Sequence, residues 1–166
     1  MYFGFIKESM SPATVNSNIK TDKDLYEIHK EEHMKYIEFM NRVQEYGNLK
    51  NLEEAVRITE AVLETLGERV YRTESLDLAA QLPKDLKMFL FKKQLLEQSR
   101  DEVKRFSLEE FYNRVRARAR IGYPEAIKQS KAVMAVLQEA VSAGELDDIK
   151  NELPDEFNDL FQKSIE

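Results

Sequence analysis

The sequence predicts an all-α protein: two tandem, pseudo-equivalent four-helix units forming a helical bundle. Three observations predict it. Apolar residues recur at three- and four-residue steps, as Leu52, Val56, Leu63, Leu66 and Val70 do, and such a stripe faces a core. Gly and Pro are scarce, at five and four of 166 residues, and no stretch sustains the apolar/polar alternation of a strand. Finally, the chain repeats itself, which marks units that bury their apolar faces on one another.

The repeat is read residue by residue. Phe39, Asn41, Arg42 and Val43 recur as Phe111, Asn113, Arg114 and Val115. After one single-residue gap, Glu54 and Ala55 face Glu125 and Ala126, and Ala61 and Val62 face Ala132 and Val133. Leu66, Glu68 and Val70 face Leu137, Glu139 and Val141. Glu74 and Asp77 face Glu145 and Asp148, and Leu82 and Pro83 face Leu153 and Pro154. Order, spacing and chemistry agree, so duplication is the expected origin.

Punctuation sets the elements. Phe106, Ser107, Glu110 and Phe111 form a complete helix start, with Ser107 as cap, Glu110 reaching back and the two rings as a staple. Asn51 with Glu54 is a weaker capping pair. Pro83 and Pro154 suit a first helical turn, where a missing N–H costs nothing. The first repeat, 36–91, is expected to hold helices at 36–46, 51–70, 74–81 and 83–91. The second, 107–166, is expected to hold them at 108–120, 124–142, 145–152 and 155–163. A connecting segment, 92–106, lacks Gly and Pro and is expected to be helical. Residues 1–35 form an N-terminal extension with a helix from about Thr21.

Composition excludes several classes. Without cysteine there are no disulfides and no thiolate metal sites. No run approaches the length of about 18 apolar residues that a membrane helix needs. The apolar start, Met1 to Ile6, is short and lacks a basic leader, so a cytoplasmic location is expected. A net charge of −6 gives no overall attraction to nucleic acid.

Several ordered motifs carry a family resemblance: residues 61–70, 77–83, 105–111 and 144–149, with the spacing from Phe39 to Val43. Over about residues 37–161 the chain resembles the bacterial domain-of-unknown-function 2267 family. The resemblance implies an all-helical bacterial protein. It carries no established activity, substrate or catalytic residue.

Candidate sites are few, and each has a plainer reading. His29 and His33 share a helix face and could hold zinc or nickel, but Lys30 stands where a metalloprotease has Glu. The preferred reading is a solvated charged helix that happens to hold both histidines, and no cofactor is expected. Arg114, Arg116, Arg118 and Arg120 form the densest basic cluster, suited to an acidic partner or phosphate. Otherwise they balance the acidic stretch from Glu145 to Asp159. Leu86 to Phe91 is apolar nearly all round, so it is core, or else Met88, Phe89 and Phe91 touch a partner or second subunit. The recurring acids Glu68/Glu139, Glu74/Glu145 and Asp77/Asp148 have no His, Lys or Tyr beside them and read as solvated helix-end groups.

No nucleophile elbow and no phosphate-cradling glycine loop is present. The expected role is therefore non-enzymatic: a regulatory or interaction module with an unknown protein partner, or one that self-associates. The alternative is a small-molecule or acyl-chain binder, its groove between the repeats lined by Phe89, Leu90, Phe111, Phe157 and Phe161.

Overall fold

A computed structural model describes residues 36–70, 72–97 and 105–162. Seven α-helices and one 3-10 helix follow one another, and no strand occurs among the described residues. Helix α1 is described over residues 36–46. It is followed by α2 (Leu52–Arg69), α3 (Arg72–Ala80) and α4 (Lys84–Glu97). Then come α5 (Leu108–Ala119), α6 (Tyr123–Ala140) and α7 (Ala143–Glu152). The 3-10 helix Asp155–Phe161 closes the described chain.

The capping residues do what their chemistry suggests. Asn51 accepts from the Glu54 amide, Ser107 from Glu110 and Ser142 from Glu145, each satisfying a helix-start N–H. The two long helices, α2 and α6, are both 18 residues long. Each stops at an extended valine, Val70 or Val141, whose N–H reaches Leu66 or Leu137 four residues back.

One apolar core runs through both aligned segments. It takes Val43, Ile58, Leu63, Leu66, Leu86 and Leu90 from the first and Phe111, Val115, Met134, Leu137, Ile149 and Phe157 from the second. Helix α2 is central, packed against α4, α5 and α6. Helix α5 also lies on α6, α3 on α4 and α7, and the 3-10 helix on α6.

Helix α4 runs past residue 91 to Glu97, into the segment expected to be helical, because nothing there breaks it. The last element, expected as an ordinary helix over 155–163, is a 3-10 helix ending at Phe161. The helix expected from about Thr21 falls outside the described residues, as do His29 and His33.

Candidate functional site

The densest polar structure lies where α2 meets α4 and α5. Glu60, Glu64 and Glu68 are spaced four residues apart on α2 and so share a face. Lys92 of α4 pairs with Glu60. Arg118 of α5 pairs with Glu68, lies 3.8 Å from Glu64, and donates through Nη1 to Thr65 Oγ1 at 2.8 Å. Thr65 can accept because its own proton goes to the Ala61 carbonyl at 2.7 Å. Arg114 reaches Glu68 Oε2 at 3.3 Å and Glu110 Oε1 at 3.1 Å. Its guanidinium lies 4.0 Å from the centre of the Phe106 ring.

Glu68 is the hub of this seam. Its side chain is only 4% exposed, so its charge is viable only with partners. Arginine suits the task, since its planar fork serves two acceptors and an aromatic face at once. Buried Arg69 extends the seam, donating to the Phe106 carbonyl at 3.0 Å and stacking 5.1 Å from the Phe157 ring centre.

A second seam joins α1 to α6 at the aligned positions. Glu139 matches Glu68, and Arg42 matches Arg114. Arg42 Nη1 lies 2.7 Å from Glu139 Oε2, and the Tyr46 hydroxyl donates to Glu139 Oε1 at 2.6 Å. That hydrogen bond pushes the Tyr46 phenol above its ordinary pKa, with burial adding a smaller push. Here the groups are exposed.

The ends of the short helices are tied the same way. Arg57 Nε of α2 donates to the Ala119 carbonyl at the end of α5 at 3.0 Å. Gln129 Nε2 of α6 donates to the Gly47 carbonyl at the end of α1 at 2.8 Å. The residues that follow, Asn48 and Arg120, both take positive φ, 51° and 58°. Asparagine adopts this left-handed conformation readily; for arginine it costs roughly 1 kcal/mol.

The arginine cluster is thus divided. Arg114 and Arg118 face inward and are paired. Arg116 and Arg120 are exposed, with no ion pair or side-chain hydrogen bond among the described residues. Two expectations are corrected. The acids that balance the inward pair are Glu64, Glu68 and Glu110, not the stretch from Glu145 to Asp159, because α5 lies against α2. Glu68 and Glu145 are not solvated helix-end acids but are buried, whereas Glu139 is exposed and paired with Arg42 and Tyr46.

The apolar segment on α4 is not buried on every side. Leu86 and Leu90 are buried, Phe89 and Phe91 are half-buried against the core, and Met88 is 55% exposed. Of the residues proposed to line a ligand groove, Leu90, Phe111 and Phe157 are buried. Phe111 and Phe157 meet edge-to-face at 5.9 Å, so these rings contact each other. Phe161 is half-buried, 5.0 Å from the Lys150 ammonium. Among the described residues no group of three His, Asp or Glu side chains could hold a metal ion, and no helix is long and apolar enough to cross a membrane.

Sequence reading missed Glu64 and Arg69 as seam residues. For Glu64 the signal was there, since acids at four-residue spacing on α2 and arginines at four-residue spacing on α5 make complementary stripes; Arg69 lies outside both stripes.

This architecture defines an all-α bundle protein whose buried charges join helix to helix. Residues 36–160 match the model of a family described as "Uncharacterized conserved protein (DUF2267)", and the chain belongs to that family. No curated protein matches the chain.

Proposed function

We propose that this protein is a non-enzymatic helical interaction module, cytoplasmic and regulatory, that binds another protein through an exposed helix face. The observation that carries the reading is the use made of charge. The acids recurring in both segments, Glu68 and Glu139, tie α2 to α5 and α6 to α1. The same groups would be the first candidates for acid–base chemistry, and their partners engage them structurally. Side chains left outward, such as Arg116, Arg120 and Met88, suit contact with a partner.

The reading includes an origin of residues 36–91 and 107–166 from one duplicated unit. The aligned residues support it, as do the equal lengths and valine stops of α2 and α6.

The test is affinity capture of the full chain at native expression level, with bound species identified without preselection. A specific protein retained at constant stoichiometry is the expected result. Retention of nothing would overturn the proposal, and retention of a small molecule alone would favour the ligand-groove reading instead.

A further inference from the structure

We infer that the outward face of α5, built on Arg116, Ala117 and Arg120, is a docking surface for an acidic protein segment. The inference deepens the interaction-module reading and rests on it.

The chain supplies its own control. Helices α1 and α5 occupy matching places in the aligned sequence and make matching ties, Arg42 to Glu139 and Arg114 to Glu68. Any difference between their outward positions is therefore not required by those ties. At and just past α1 the aligned positions hold Gln44, half-buried and donating to the Leu49 carbonyl, with exposed Glu45 and Asn48; at and just past α5 they hold Arg116, Ala117 and Arg120, all exposed. Compared with α1, α5 carries two cations in place of neutral side chains and a methyl in place of a carboxylate. Every change moves the face toward attracting anions.

Position 120 adds a second, independent observation. Arg120 stands at φ 58°, ψ 51°, a left-handed backbone that disfavours it. The matching place on α1 holds asparagine, a residue suited to that conformation. An arginine in strained backbone, exposed and unpaired among the described residues, points to use of its side chain.

The chemistry of the face selects the partner. Two guanidinium groups about one helical turn apart, with a methyl between them, fit carboxylates on one side of a peptide. A long polyanion fits less well. The whole chain carries −6, and two cations would release only about two counterions from a nucleic acid backbone.

The test uses the full chain and a fluorescent peptide of alternating Glu and Ala, read by polarisation at low and physiological salt. The unmodified chain should bind, more weakly as salt rises. The double variant R116Q/R120N installs the α1 residues and should bind at least about tenfold more weakly, with an unchanged circular dichroism spectrum. Adding Gln44→Arg, Glu45→Ala and Asn48→Arg to that variant should restore binding on α1. No binding by the unmodified chain, or equal binding by R116Q/R120N, would overturn the inference. So would binding to duplex DNA or anionic vesicles in place of the peptide. A partner captured equally by the native chain and by R116Q/R120N would remove this surface while leaving the interaction-module reading intact.

Discussion

At the scale of single residues, burial decides what a charge contributes. Glu68 and Glu139 hold aligned positions and similar partners, yet Glu68 is enclosed and Glu139 is exposed. Glu68→Gln should lower unfolding free energy by about 2–4 kcal/mol, since it leaves two half-buried arginines short of a counter-charge. Glu139→Gln should have a smaller effect that fades with added salt. Urea titrations of the two variants at low and high salt check the contrast, and equal losses would refute it. Arg120→Asn should raise stability by about 0.5–1 kcal/mol by relieving the left-handed backbone, whatever it does to binding. Tyr112 makes a pH prediction. Burial first, then its 2.8 Å hydrogen bond to Asp159, pushes its phenol above the ordinary value. Above about pH 10 an unfolded chain loses a proton that the folded chain keeps. Its contribution is therefore complete below about pH 10 and declines above it. Tyr112→Phe should flatten the alkaline limb of stability against pH, a change in slope that denaturation at stepped pH would read. The caps at Asn51 and Ser107 were legible at this scale because a cap is a local event. The burial of Glu68 was not, because it depends on a helix more than 40 positions away.

At the scale of elements, one side chain distinguishes the ends of the two aligned segments. Gly67 of α2 lies against the backbone of α4, where an added Cβ would stand 2.0 Å from the Leu90 carbonyl oxygen. The aligned pair is Gln138 and Phe161, and there the glutamine side chain donates to the Phe161 carbonyl at 3.2 Å. With glycine, helix meets helix directly, and α4 runs 14 residues. With glutamine, a side chain stands between, and the facing segment is a 3-10 helix of seven. Pro83 and Pro154 occupy aligned positions in the sequence, but the alignment could not show this difference, which is set by clearance between backbones. Gly67→Ala should cost about 2–3 kcal/mol or more, because the obstacle is backbone and cannot swing aside. Gly144→Ala is the matched control. Nothing lies within 4 Å of a Cβ there, in the first turn of α7. That change should be neutral or stabilise by up to about 1 kcal/mol. Thermal melts of both variants check the pair, and a harmless Gly67→Ala would show that α2 and α4 are not in close contact.

At the scale of the described molecule, the segments are joined by exchange. The short helix of each contacts the long helix of the other: α5 on α2 through Arg114 and Arg118, and α1 on α6 through Arg42 and Gln129. Periodicity told which faces were apolar, and so predicted an all-α core. It carried no information on which helix would cover which face, because contacts within and between segments bury the same stripe. Exchange has a thermodynamic consequence. If α2 opens, α5 loses its charge partners and part of its apolar cover; if α6 opens, α1 loses Glu139 and Gln129. Neither segment holds a core of its own, since Phe111, Leu66, Leu90 and Met134 belong to one buried cluster. The described helices should therefore unfold as a single cooperative unit. Native-state hydrogen exchange can read this segment by segment. The slowest amides of α2 and α6 should share one opening free energy, and Glu68→Gln, a change on α2, should lower both by the same amount. Separate opening energies, or a Glu68→Gln effect confined to α2 and α5, would mean that the two segments are stable independently.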